Sequence, residues 1–208
     1  MFPKNTTILF QGDSITDGAR GRSEDLNHIL GHGYVFLIAA RLTADRPDLG
    51  LRFHNRGCSA HSVVDLHARW AEDTIALAPD VLSVLIGVND VETGVPTARY
   101  ETVYRQILEE TRAALPRTRF VLGHPFMLPV GPRKDRWKER RADIDSRIDV
   151  VDRLAKEFDA VVVRNQAVFD AAWKNAPAEY WLWDGIHPMP AGHELMAREW
   201  LAAVEKQM

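Results

Sequence analysis

Residues 6–14, TTILFQGDS, carry the reading of the whole chain. Thr6 to Phe10 is a β-branched and apolar run that stops at Gln11-Gly12, the pattern of a strand ending in a turn. Asp13 and Ser14 come directly after it. Four further stretches have the same character: Leu51 to His54, Val81 to Ile86, Arg119 to Leu122 and Ala160 to Val163. Helical spacing fills the intervals between them. Tyr34, Leu37, Ile38 and Leu42 keep a period near 3.6 up to Pro47. Val63, Leu66, Trp70 and Leu77 do so before Pro79, and Val103, Ile107, Ala114 and Leu115 before Pro116. Ile144, Ile148, Val151, Leu154 and Phe158 predict a fourth helix, and Leu195 to Val204 a fifth. Strand and helix alternating in this way favour right-handed crossovers and a parallel sheet covered on both faces. The fold class expected is α/β: a three-layer α/β/α sandwich with a central five-stranded parallel sheet.

Composition narrows the field. At 208 residues one domain, 1–208, is expected. Hydrophobic residues make up 46% and charged residues 26%, as in globular chains, which excludes disordered and fibrous classes. A formal net charge of −3 speaks against nucleic acid or an anionic membrane surface as partner. Cys58 is the single cysteine, so an intrachain disulfide framework and a CxxC site are excluded. No apolar run approaches the roughly 20 residues of a membrane span. The N-terminus lacks the pattern of a signal peptide, so a cytoplasmic location is expected.

In an open parallel sheet, ligands bind beyond the carboxyl ends of the strands. After the first strand comes Gly12-Asp13-Ser14-Ile15-Thr16-Asp17, and after the second Asn55-Arg56-Gly57-Cys58-Ser59. The third ends in Gly87-Val88-Asn89-Asp90, and Trp183-Asp184-Gly185-Ile186-His187-Pro188 precedes the last helix. Together these supply what acyl transfer needs. A serine hydroxyl becomes a nucleophile when a base takes its proton, and His187 is the candidate base for Ser14. Asp184, three residues earlier, can accept the imidazole Nδ1–H and fix the tautomer. The N–H groups of Ser14 and Gly57 and the side-chain amide of Asn89 are the available oxyanion donors. Taken singly, each block has a plainer reading: an N-cap at Asp13-Ser14, a strand-ending turn at Asn89-Asp90, a hydrogen-bonded histidine at position 187. Their joint occurrence in order favours the catalytic one.

The four blocks GDS at Gly12 to Ser14, Gly57, GVND at Gly87 to Asp90 and DGIH at Asp184 to His187 closely resemble those of the SGNH hydrolases, the GDSL esterase/lipase superfamily. The resemblance runs from the first strand to the last helix, with Ile15 where leucine commonly follows the serine. It implies a flavodoxin-like sandwich with strand order 2-1-3-4-5 and a serine hydrolase mechanism without metal or other cofactor. By position it makes Ser14, Asp184 and His187 the triad and Ser14, Gly57 and Asn89 the oxyanion hole. A narrower likeness, carried by GDSITDGAR, GHGYV, NRGCSAHSVVDLHARW, IGVNDV and WDGIHPMPAGHELMA, is to intracellular carbohydrate acetylesterases such as acetylxylan esterases. It implies an acetylated sugar, such as a short acetylated xylo-oligosaccharide, as the small-molecule ester substrate, and a homo-oligomer whose contact face the sequence does not identify.

Asp13, Tyr34 and Trp183 are further candidates for substrate contact, since aromatic faces stack on sugar rings; core packing is the equal alternative for Trp181 and Trp183. Arg20 to Gly33 and Pro129 to Arg141 interrupt the regular rhythm and could rim a site. The second, locally basic, reads as the solvated start of a long helix. Asp17, Asp90 and Arg56 flank the proposed site as supporting residues, and either Asp17 or Arg20 could touch substrate. His28 and His32 form an HxxxH pair, but Gly31 and Gly33 argue against the helix a zinc site would need. His193 is expected to pack or cap. Competing functions are a thioesterase or lysophospholipase of the same superfamily, a non-catalytic phosphate or nucleotide-binding module, and a degenerate structural relative. GxxxxGK[ST] and GxGxxG are both missing, which weakens the binding module.

Overall fold

A computed structural model describes residues 2–23 and 25–207; Met1 and Met208, the ends of the 1–208 span, and Glu24, inside the Arg20–Gly33 loop, lie outside the described residues. Five strands, β1 (Thr7–Gly12), β2 (Arg52–Asn55), β3 (Val81–Leu85), β4 (Arg119–Gly123) and β5 (Val161–Val163), form one sheet in the order β2-β1-β3-β4-β5. Every pairing is parallel. β1 is buried along its whole length, as a central strand covered on both faces must be.

Alternation along β1 sorts its side chains. Ile8 and Phe10 join the apolar cluster on one face, and Leu9 the cluster on the other. The first face is covered by α2 (Tyr34–Asp45), α8 (Asn165–Trp173) and α10 (Pro190–Gln207), through residues such as Ile38, Phe169 and Trp200. The second lies under α3 (Val63–Ala68), α6 (Thr97–Ala114) and α7 (Trp137–Phe158), through Leu66, Tyr104, Ile107 and Leu154. The three-layer α/β/α sandwich with a five-stranded parallel sheet is therefore the observed architecture.

Two expectations about helices change. The helix expected over Val63–Leu77 is broken into α3, α4 (Trp70–Asp73) and a 3₁₀ turn. At the break Arg69 leaves helical geometry, with φ −111° and ψ 10°. Its guanidinium donates to Gly12 O at 3.2 Å and to Gln11 Oε1 at 2.9 Å. A side chain needed at the end of β1 thus sits where helical periodicity alone would have continued. Short helices at the strand ends, α1 (Ser14–Asp17), α5 (Val88–Glu92) and α9 (Ala178–Trp181), were not expected, because four or five residues carry no readable period.

The order 2-1-3 places β1 at a switch point. The chain leaves β1 toward β2 on one side and returns past it to β3 on the other. A crevice opens there, above the ends of β1 and β3. Gly12 is in register with Leu85, so the segments after those two residues rise side by side.

Candidate active site

Asp13 turns the chain out of β1. Its Oδ1 accepts the Ile15 N–H at 3.0 Å and caps α1, which ends at Gly18 in the left-handed region at φ 53°. Ser14 is thereby the first residue of a helix, where backbone N–H groups have no intrahelical acceptor. Its hydroxyl points at the other end of the sequence: Ser14 Oγ lies 2.8 Å from His187 Nε2.

The DGIH turn is built to hold that imidazole. Asp184 Oδ1 accepts the N–H groups of Ile186 at 3.1 Å and His187 at 2.9 Å, while Oδ2 is 2.8 Å from His187 Nδ1. A proton on Nδ1 facing this carboxylate leaves Nε2 as the acceptor facing the serine. Trp183 N–H donates to His187 O at 3.1 Å, and Leu182 bridges Pro188, so the turn is closed at its base. Gly185 is required at φ 99°, since a Cβ there would lie 2.6 Å from Leu128 O. Partial burial pushes the Asp184 carboxyl up, but the His187 side chain and the two backbone N–H groups outweigh it and hold it at about 2. The Asp184 hydrogen bond raises the His187 imidazole above its ordinary value, against the opposing effect of burial.

The three candidate oxyanion donors stand differently. The Ser14 N–H heads α1. Asn89, in the first turn of α5, donates one of its two amide hydrogens to His61 O at 2.9 Å, leaving the other. The Gly57 N–H is donated to Asn55 Oδ1 at 2.9 Å, so it must exchange that acceptor to serve an oxyanion. The absence of a Cβ at Gly57 has a different reason from the one the sequence suggests. A Cβ there would lie 2.3 Å from Asp17 N and 2.8 Å from Asp17 Cα, so glycine is demanded by the close approach of α1.

Of the candidates for substrate contact, Tyr34 and Asp13 are set behind the site. Tyr34 is 3% exposed, edge-on to Phe10, and its hydroxyl bonds Thr16 Oγ1 at 3.0 Å. Asp13 is 1% exposed; its Oδ2 is buried without a hydrogen-bond partner, and burial pushes its carboxyl up to about 7. Trp183 is the reverse case: 62% exposed, with its ring stacked on His187 at 6.3 Å between centroids. Trp181 packs against the core. Asp90 is buried and accepts the Val63 N–H, and burial raises it to about 6. His193 caps α2, accepting the Tyr34 N–H at 3.2 Å, and burial lowers it to about 4.

Arg133 lies within the segment expected to be a solvated helix start. From Trp137 onward it is a helix start, but Arg133 sits in a 3₁₀ turn before it and reaches the DGIH turn. It donates to Asp184 O at 2.6 Å and lies 3.6 Å from Asp184 Oδ2. Glu92 holds it from the other side at 3.1 Å, itself shared with Arg140 at 2.9 Å. Asn55 is the other residue whose role sequence reasoning missed. Besides receiving Gly57, its amide donates to Thr16 O, Asp17 O and Leu30 O, tying β2, α1 and the Arg20–Gly33 loop together. Among the described residues no three His, Cys, Asp or Glu side chains converge as a metal site, and no helix is long and apolar enough to cross a membrane.

Known proteins share this arrangement. Residues 10–195 match the GDSL-like Lipase/Acylhydrolase family. An acetylxylan esterase of Geobacillus stearothermophilus is 37% identical over 209 residues, covering 95% of this chain and 93% of that protein. A solved structure described as a GDSL-like lipase from Parabacteroides merdae superposes with a TM-score of 0.91 at 38% identity, covering 99% of this chain and 98% of that one. The structure of Axe2, an acetylxylan esterase from Geobacillus stearothermophilus, gives 0.87 at 34% identity, with 97% and 95% covered. Catalytic mutants of Axe2 at a serine, an aspartate and a histidine superpose equally well.

Proposed function

The chain belongs to the GDSL-like lipase/acylhydrolase family and is a carboxylic ester hydrolase, and on that premise we propose that it deacetylates short sugar substrates, acetylated xylo-oligosaccharides foremost, through Ser14, His187 and Asp184. The observation that carries this reading is the unbroken run Ser14 Oγ–His187 Nε2 and His187 Nδ1–Asp184 Oδ2, 2.8 Å at each step.

In the proposed reaction His187 Nε2 takes the hydroxyl proton as Ser14 Oγ attacks the acetyl carbonyl, and Asp184 stabilises the imidazolium that forms. The oxyanion is met by the Ser14 N–H, the remaining Asn89 amide hydrogen and the Gly57 N–H turned from Asn55. His187 returns its proton to the sugar hydroxyl as the C–O bond breaks, leaving acetyl-Ser14. Water, deprotonated by His187, then releases acetate. Exposed Trp183 beside the imidazole supports a sugar ring on the alcohol side, where an aromatic face can stack. The acetyl preference rests on the likeness to the acetylxylan esterases.

A substrate panel tests the proposal: acetylated xylo-oligosaccharides, acyl-CoA and lysophospholipid, compared by kcat/KM. The acetylated sugar is expected to lead. A clear preference for long acyl chains would transfer the reading to a thioesterase or lysophospholipase.

A further inference from the structure

Beside the site, between the Arg20–Gly33 loop and the end of β2, lies a cleft of about 250 Å3 lined by Arg20, Arg22, His54 and Arg56. Three guanidiniums share it with one carboxylate, Asp17, and that carboxylate has nothing left to give. Its Oδ1 accepts Arg22 Nη1 at 3.1 Å and the Arg20 N–H at 3.2 Å; its Oδ2 accepts Arg22 Nη2 at 2.8 Å and the Ser59 hydroxyl at 3.0 Å. These fill the roughly four acceptor positions of a carboxylate. Among the described residues no carboxylate lies within ion-pair distance of Arg56, and the nearest to Arg20 is this same Asp17, at 3.9 Å.

The positive excess is felt by its members. Burial lowers Arg20, and repulsion from Arg22 adds to it; burial lowers His54, and Arg56 and Arg52 add to that. In a chain whose formal net charge is −3, like charges concentrated in a cleft without a counter-charge describe a place for an anion. Its location is specific. Arg20 Nε donates to Gly57 O at 3.1 Å, and Arg56 is the residue before Gly57, so the cleft begins one peptide unit from a proposed oxyanion donor.

We propose that this cleft is a subsite for a carboxylate carried by the substrate, so that the preferred substrate is an acetylated oligosaccharide bearing a uronic acid substituent. The inference deepens the acetylesterase reading and rests on it for the ester, though not for the binding. Planar guanidinium forks suit a planar carboxylate, which accepts two parallel N–H groups from one arginine.

Two measurements separate the parts. Calorimetry compares an unacetylated xylo-oligosaccharide bearing one glucuronic acid with its neutral counterpart. The acidic ligand is expected to bind about tenfold or more tightly, an advantage that shrinks in high salt and vanishes in Arg56→Glu but survives in Arg56→Lys. Equal affinity of the two ligands would overturn the subsite, as would inorganic phosphate competing as well as glucuronate, which would assign the cleft to phosphate. Kinetics then compares kcat/KM on the acetylated forms of the same pair, with 4-nitrophenyl acetate as a small ester. The acidic-to-neutral ratio is expected near ten and to fall to about one in Arg56→Glu. Turnover of all esters with a ratio of one in the wild-type enzyme refutes the subsite alone. No ester turnover together with tight acidic binding refutes the esterase reading and leaves the subsite standing.

Discussion

Replacing Arg133 with methionine measures how the 129–141 segment acts on the Asp184–His187 pair. Methionine keeps much of the aliphatic stem that packs over Gly185, where a Cβ would lie 3.0 Å from Arg133 Cδ, and removes the guanidinium. Two effects follow. The charge is 3.6 Å from Asp184 Oδ2, a separation worth about 1.2 kcal/mol in bulk water and about 4.6 kcal/mol at an effective dielectric near 20. Glu92 lies 3.1 Å from the same guanidinium and cancels much of its field, which sets the net effect at about 1 kcal/mol. The bond to Asp184 O, charge-assisted, adds about 1.5–3 kcal/mol of restraint on the turn, part of which is felt at the imidazole. Losing a cation that disfavours the imidazolium makes His187 easier to protonate, so the acid limb of kcat/KM moves to higher pH. Loosening the turn lowers kcat at the plateau by about tenfold, equivalent to about 1.4 kcal/mol. Profiles of 4-nitrophenyl acetate hydrolysis from pH 4 to 9 for wild type, Arg133→Met and Arg133→Lys, with melting temperatures alongside, read both effects. Full kcat with the acid limb unmoved or moved to lower pH would refute the reasoning.

Ser14→Ala is expected to abolish turnover and labelling by a serine-directed phosphonate while the melting temperature stays near that of the wild type; residual hydrolysis at the wild-type rate would remove Ser14 from the mechanism. Because Asp184 raises His187, the wild-type acid limb is expected above the ordinary imidazole value of about 6.5, and a profile flat down to strong acid contradicts its role as base. Asp13, raised to about 7 by burial, contributes stability that is whole below about pH 4 and is lost as pH rises through 7. Asp13→Asn keeps the cap acceptor and should flatten that decline in urea midpoints measured from pH 4 to 8; an unchanged slope would show that the carboxyl does not titrate there. Gly57→Ala forces a Cβ onto the Asp17 backbone and should cost about 1–3 kcal/mol or more, read as a lower urea midpoint together with a lower kcat.

The strands were legible because β1 and β3 are covered on both faces and therefore carry unbroken apolar runs, and each ends in a residue that cannot continue a ladder. Ser14, Asn89 and the Asp184–His187 pair were legible for a related reason: the switch point lies beyond those strand ends, so whatever follows them faces the crevice. Arg133 was hidden because its charge resembles that of its solvated neighbours, and only the tertiary position of Gly185 singles it out. Tyr34 misled because its helix begins near the site, yet its register turns the ring inward toward Phe10 and Thr16. The function of Gly57 was read from chemistry when it is packing against Asp17 that demands the residue.

Ser14 and His187 are 173 positions apart along the chain. A ribosome that has released the first four strands has already made the nucleophile, but nothing that can activate it. Competence arrives with the final fortieth or so of newly exposed polypeptide after the DGIH turn emerges and α10 docks, so a nascent or C-terminally clipped molecule is chemically silent. Ester cleavage in a translation mixture would therefore time the completion of folding, with no added label.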